Sequence, residues 1–156
     1  MAKDPAFLFY SKDWFTDTVE MGATERGVYI NMMAYQHING SLPVDEEDLN
    51  SIAVLKKRDG KFNKIWPKIK HKFVEKDNRF YNNKLVGVMG ERALYSKKNK
   101  ISGNFASLVR KTKYKQLIPK IKGKFFVDNF INIEDDKLKE RITEWFNDTV
   151  NRLLKM

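Results

Sequence analysis

Five large apolar residues constrain the fold most. Phe62, Ile65, Trp66, Ile69 and Phe73 fall at offsets 0, 3, 4, 7 and 11, which is one face of a helix. Lys61, Lys64 and Lys68 recur at near-helical spacing on another face. A helix over 61–73 is therefore expected, apolar on one side and cationic on another. Pro67 interrupts the pattern. It lacks an N–H and restricts Trp66, so it should kink this helix or begin a second one. Directly downstream, Lys72 to Glu75 alternates into Asp77-Asn78, and Arg79 to Asn82 returns. That is a hairpin signal, because Asp and Asn tolerate the positive φ of tight turns.

The upstream segments read as helices. Val28, Met32, Tyr35 and Ile38 recur at helical spacing, and Tyr29, Ile30 and Met33 widen the stripe. This places a helix over 23–38, with Thr24 as its cap and Glu25 at the positive end of its dipole. Asn39-Gly40 supplies the stop. Residues 41–44 connect, punctuated by Pro43. Asp45 then caps a short helix over 46–55 with apolar Leu49, Ile52, Ala53 and Leu55. Lys56 to Gly60 reads as a basic turn, and the aromatic-rich residues 6–15 as a strand or extended arm. Helix, short helix, helix and hairpin is the order of a winged helix-turn-helix, in which the third helix enters the DNA major groove. Unrelated α+β modules share that order.

The remainder is less regular. Residues 85–118 contain helix-compatible patches broken at Ser102-Gly103-Asn104, and read as a loosely helical, basic linker. Ile121, Phe125, Val127, Ile131 and Ile133 suggest alternation, hence one or two strands over 121–133 with a turn at Asp128-Asn129. Residues 134–155 form the cleanest amphipathic helix. Leu138, Ile142, Trp145, Phe146, Val150, Leu153 and Leu154 make its stripe, and Glu134, Asp135 and Asp136 occupy its first turn. Such a helix folds onto its own core or pairs with a second copy. The fold expected is α+β, mainly α: a winged helix-turn-helix-like domain over 1–90, a basic, partly helical linker over 91–120, and an appendage over 121–156 with a short strand region and a C-terminal helix.

Charge distribution narrows the partner. The chain has 156 residues and a net charge of +10. Residues 1–55 hold 3 Lys/Arg against 9 Asp/Glu, whereas 56–76 hold 9 against 2 and 92–127 hold 11 against none. A generically soluble surface intersperses both signs. Two concentrated basic blocks favour a polyanion such as DNA, RNA or an anionic membrane surface.

Catalytic signatures are missing. The chain has no Cys, which excludes disulfides and cysteine zinc sites. Its two histidines, His37 and His71, lie 34 apart without metal-ligand spacing; a helix end and a basic surface account for them. There is no Gly-Lys-Ser/Thr phosphate loop and no Gly-x-Ser-x-Gly elbow. Asp135-Asp136-Lys137 faintly resembles a nuclease element, but a helix start explains it better. No enzyme activity, cofactor or metal is expected. The N-terminus shows no long apolar run, so no signal peptide or membrane span is expected either.

Several motifs in fixed order resemble the YdaU-like family of phage and prophage replication proteins. They are Pro5 to Trp14, Ala23-Thr24-Glu25-Arg26-Gly27-Val28-Tyr29, the Gly40-Ser41-Leu42-Pro43 turn, Trp66-Pro67, Lys72-Phe73, Phe80-Tyr81-Asn82, and Tyr95-Ser96-Lys97 with Ser102-Gly103. The likeness spans about residues 4–113. Leu8 and Ser11 stand where the family usually has Pro. It implies a DNA-replication role for a mobile element in the cytoplasm of a bacterial host.

The expected DNA-binding residues follow from the charge blocks. Lys56, Lys57 and Arg58 would approach the backbone, Lys61, Lys64 and Lys68 would face the groove, and Arg79 would sit on the wing. Lys97, Lys98, Lys100, Arg110, Lys111 and Lys113 would extend the contact along neighbouring phosphates. Lys is a point charge, whereas base reading favours Arg, Asn and Gln. A large phosphate share and salt-sensitive affinity are therefore expected, with duplex DNA preferred over single strands. Phe62, Trp66 and Phe73 share a face with Ile65 and Ile69, so core packing is their expected fate rather than base stacking. The function expected is that of a DNA-binding accessory protein in replication initiation. The alternatives are a protein-interaction adaptor such as a helicase loader, or a winged-helix transcriptional regulator; the partners considered beside DNA are a replication protein and a second copy bound through residues 134–155.

Overall fold

The computed structural model describes residues 9–55 and 60–156. Among the described residues the chain is mainly helical, with one two-stranded antiparallel sheet. It divides into two compact units, the first ending at Gly90 and the second covering Glu91–Met156. No helix among the described residues is long and apolar enough to cross a membrane.

In the first unit, α1 (Ser11–Thr18) takes residues 11–15 of the expected extended arm into a helix, and residues 6–8 of that arm lie outside the described residues. Trp14 stacks on Tyr29 at 5.6 Å, and Thr18 is buried, so α1 packs through one side only. α2 (Ala23–Asn39) starts two residues earlier than the Thr24 cap requires. Its cap is Gly22, whose N–H donates to Glu25 Oε2 at 2.9 Å. Thr24 is therefore inside the helix, and Glu25 does the capping from the third helical position. Gly40 ends the helix with φ 83°, the left-handed region that glycine adopts without a Cβ penalty. α3 (Glu46–Ile52) is capped by Asp45, whose carboxylate accepts from the N–H groups of Glu47 and Asp48.

α4 (Lys61–Ile69) buries Phe62, Ile65, Trp66 and Ile69. Pro67 lies inside it on the exposed side, and the helix gives way to a 3-10 turn at Lys70–Lys72. The expected helix over 61–73 is thus shortened to 61–69, and Pro67 does not begin a second one. β1 (Val74–Lys76) and β2 (Arg79–Tyr81) pair antiparallel, joined by Asp77 and Asn78 with φ of 51° and 57°. Both central residues are left-handed, as a type I′ turn demands. Leu42 bridges to Phe80 through two backbone hydrogen bonds of 2.9 and 3.0 Å. This ties the hairpin to the connector between α2 and α3.

A buried polar network locks the same unit. Asn82 N–H donates to Gln36 Oε1 at 2.7 Å, and Gln36 Nε2 donates back to the Asn82 carbonyl at 3.3 Å. Asn82 Nδ2 donates to Tyr29 Oη at 2.9 Å and to the Lys72 carbonyl at 3.1 Å. Its Oδ1 accepts from Leu85 N–H at 3.0 Å, which caps α5 (Asn83–Lys111). One side chain therefore joins α2, the hairpin region and the start of α5.

The second unit corrects two expectations. Residues 91–120 are not a loose linker. α5 runs unbroken through Ser102-Gly103-Asn104, and α6 (Ile118–Lys122) follows a 3-10 turn. Ile101, Phe105 and Val109 of α5 share a core with Ile121, Phe130 and the buried face of α7 (Leu138–Leu154). Burial of Ile101 and Phe105 on either side of Gly103 outweighs its helix cost of about 1 kcal/mol. Residues 121–133 form no strand. They adopt α6, a turn and a 3-10 helix at Val127–Phe130. The apolar residues still point inward: Ile121 is buried, and Phe125, Val127, Ile131 and Ile133 pack against the core. A helix end, a turn and a 3-10 helix, rather than strand alternation, bring them to the same side. The stripe of α7 is likewise turned inward, with Leu138, Ile142, Phe146 and Val150 buried. Of the two fates expected for this helix, its stripe packs on the core of its own unit, with Leu154 left 48% exposed.

Candidate nucleic-acid interface

The outer face of α4 carries Lys61, Asn63, Lys64, Pro67 and Lys68, all exposed. The opposite face is buried, so sequence period alone fixes which side the cations take. Lys61 and Lys64 line a shallow cleft of about 300 Å³ together with Gly22, Ala23, Thr24, Glu25 and Ile65. The floor of this cleft is the N-terminal end of α2, where peptide dipoles sum to partial positive charge.

Lys68 faces Glu25. Its ammonium pairs with Glu25 Oε1 at 2.7 Å. That bond, followed by the Gly22 N–H donation, holds the Glu25 carboxyl below its usual range. Lys68 thus neutralises Glu25, the one carboxylate among the described residues that line the cleft. A phosphate approaching Lys61 and Lys64 meets no uncompensated negative charge from Glu25.

Arg79 is half-buried, and its Nε donates to Ser41 Oγ at 2.9 Å. It fastens the hairpin to the connector. Lys56, Lys57 and Arg58 lie outside the described residues.

In the second unit the expected phosphate contacts divide into two groups. Lys97 pairs with Asp135 at 3.0 Å and also donates to the Ile133 carbonyl. Lys100 pairs with the other oxygen of Asp135 at 2.8 Å, and Lys98 with Asp128 at 3.2 Å. These three cations are matched by carboxylates from the segment after α6. A phosphate would have to displace them. Arg110, Lys111 and Lys113 are exposed and have no carboxylate partner among the described residues; Lys113 sits 5.1 Å over the Tyr114 ring. Lys115 donates to the Arg110 carbonyl at 2.9 Å, satisfying an orphan acceptor at the end of α5. Lys120, Lys122 and Lys124 are also exposed. None of these three is among the expected contacts: Lys122 and Lys124 fall in the expected strand region and Lys120 at the end of the expected linker, and the acid-free run to residue 127 is the signal that finds them.

The double engagement of Asp135 has a pH signature. Hydrogen bonds from Lys100 and then Lys97 lower its pKa. A carboxyl depressed in the folded state contributes stability above its unfolded pKa, and that contribution is lost as pH falls through the folded value. Asp135→Asn should therefore lower the melting temperature at neutral pH. The gap to the parent should close as pH drops below about 4. Thermal unfolding of both proteins across that range checks it; a gap that persists unchanged in strong acid would refute the assignment.

His37 and His71 do not come together in a metal site: among the described residues no group of three or more His, Cys, Asp or Glu side chains is placed to hold a metal ion. Comparison with family models, with curated proteins and with solved structures gives no match.

Proposed function

We propose that this chain is a DNA-binding accessory protein in replication initiation of a phage or mobile element. In this reading the first unit is a winged helix: α2, α3 and α4 form the three-helix set, and β1 and β2 the wing. The observation that carries the proposal is the cleft where Lys61 and Lys64 of α4 face the N-terminal end of α2. Cations beside a helix start are suited to a phosphate. The buried aromatic face of α4 holds these lysines on a rigid element, which favours repeatable backbone contacts. Replication, rather than DNA binding in general, rests on the YdaU-like resemblance.

The test is a salt titration of duplex binding, followed by fluorescence anisotropy. The affinity of the parent should fall steeply with salt, at about 0.9 in logarithmic slope per phosphate contact. Lys61→Ala with Lys64→Ala should flatten that slope by about two. Lys68→Ala should change the slope less, because its charge is spent on Glu25. An unaltered slope in the double variant would remove α4 from the interface.

A further inference from the structure

We propose that the second unit carries a separate contact for single-stranded nucleic acid, in which Phe126 stacks a base and Lys120, Lys122 and Lys124 hold the adjoining phosphates. This goes beyond the duplex reading of α4 and uses none of its residues.

Phe125 and Phe126 are neighbours with opposite fates. Phe125 stacks on Phe105 at 3.8 Å with rings 4° from parallel, and on Phe130 at 5.4 Å. Phe126 has an extended backbone, φ −121° and ψ 120°. Successive side chains on extended backbone point to opposite sides. Anchoring Phe125 in the core therefore throws Phe126 outward, where it is 61% exposed.

A lone exposed phenylalanine needs no explanation; its surroundings supply one here. Lys120, Lys122 and Lys124 are exposed within the six preceding residues. Their Cα atoms lie within roughly 20 Å of that of Phe126 even on a fully extended chain. The backbone is in fact shortened by turns, with Gly123 N–H to Pro119 O at 3.0 Å and Lys124 N–H to Ile121 O at 3.1 Å. The acid closest in sequence, Asp128, is paired with Lys98. None of the three lysines has a carboxylate partner among the described residues.

The other strongly exposed rings lack this setting. Phe15, 65% exposed, stands between Asp13 and Asp17. Tyr95, 67% exposed, is followed by lysines already matched by Asp128 and Asp135. An aromatic face beside unmatched cations fits a strand that offers both bases and phosphates. In a duplex the base faces are stacked and out of reach, so the occupant is single-stranded.

The experiment uses the full chain and labelled oligo-dT, measured by anisotropy beside a labelled duplex and phosphatidylcholine vesicles containing phosphatidylglycerol. Phe126→Ala should weaken oligo-dT binding roughly 5- to 150-fold, the range of one base–aromatic stack. Phe126→Trp should preserve it, and duplex affinity should hardly change. Replacing the three lysines with alanine should flatten the single-strand salt slope by about two. Oligo-dT binding should survive in the Lys61→Ala, Lys64→Ala variant, which separates this contact from that of α4. Absence of oligo-dT binding by the parent would overturn the proposal, as would an unchanged affinity in Phe126→Ala. Phe126-dependent vesicle binding without oligo-dT binding would also overturn it, in favour of a membrane surface.

Discussion

Asn82→Ala should destabilise the first unit by about 2–4 kcal/mol. The substitution removes three side-chain hydrogen bonds at once. Loss of the Oδ1 cap on Leu85 N–H costs about 1 kcal/mol. Loss of Nδ2 leaves the Tyr29 hydroxyl and the Lys72 carbonyl without their donor. Each such buried group costs roughly 1–3 kcal/mol when it goes unsatisfied, less if water enters. Tyr29 is 2% exposed and Asn82 3%, so water has little access. Burial also pushes the Tyr29 phenol pKa up, against which the Asn82 bond works. For a unit of this size the midpoint should fall by roughly 10–25 °C. Asn82→Asp separates the contributions, because it keeps the cap acceptor but not the donor. At neutral pH it should be at least as destabilised as alanine, because its carboxylate is buried and faces the Lys72 carbonyl. Urea unfolding followed by circular dichroism measures the series. A loss below about 1 kcal/mol for alanine would show that the network is not a structural junction.

Phe105→Ala should have a comparable effect in the second unit, about 3–5 kcal/mol. Phe105 is 9% exposed and stacks on Phe125 at 3.8 Å. Trp145 and Phe146 meet it edge-on at 6.1 and 6.3 Å. Deleting the ring removes these aromatic pairs and leaves a cavity that α5 and α7 cannot easily close. Hydrogen exchange of the intact chain, read on peptides from 91–156, locates the loss. Protection should fall across residues 101–111 and 138–150 together, while peptides from the first unit keep theirs. Unchanged protection in 101–111 would mean that this stretch is a linker after all. The same variant loosens the ring that anchors Phe125, so single-strand binding through Phe126 should weaken as well.

How far the sequence could be read follows from the range of each interaction. Short-range patterns were legible. The apolar face of α4, the Asp45 cap and the Asp77-Asn78 turn all depend on residues a few positions apart. Period and turn chemistry report on such distances. The inward set Ile121, Phe125, Val127, Ile131 and Ile133 is also legible, although the spacing suggests strands where the chain forms a helix end, a turn and a 3-10 helix.

Other features depend on contacts distant in sequence. Gly103 breaks a helix on propensity alone, yet α5 passes through it because Ile101 and Phe105 find a core built by α6 and α7. Asn82 reads as a hairpin end; its junction role needs Gln36 and Tyr29, 46 and 53 residues away. The charge blocks showed that cations are concentrated, not which of them are spent.

The sequence by itself determined the helical faces, the hairpin and the two basic blocks, because these are written in local spacing and composition. Only the tertiary structure decided that Lys68 belongs to Glu25, that Lys97 and Lys100 belong to Asp135, and that Phe126 is left outside while Phe125 goes in. Pairing of charges and filling of a core are set by which distant side chains fold into reach, and no local pattern encodes that distance.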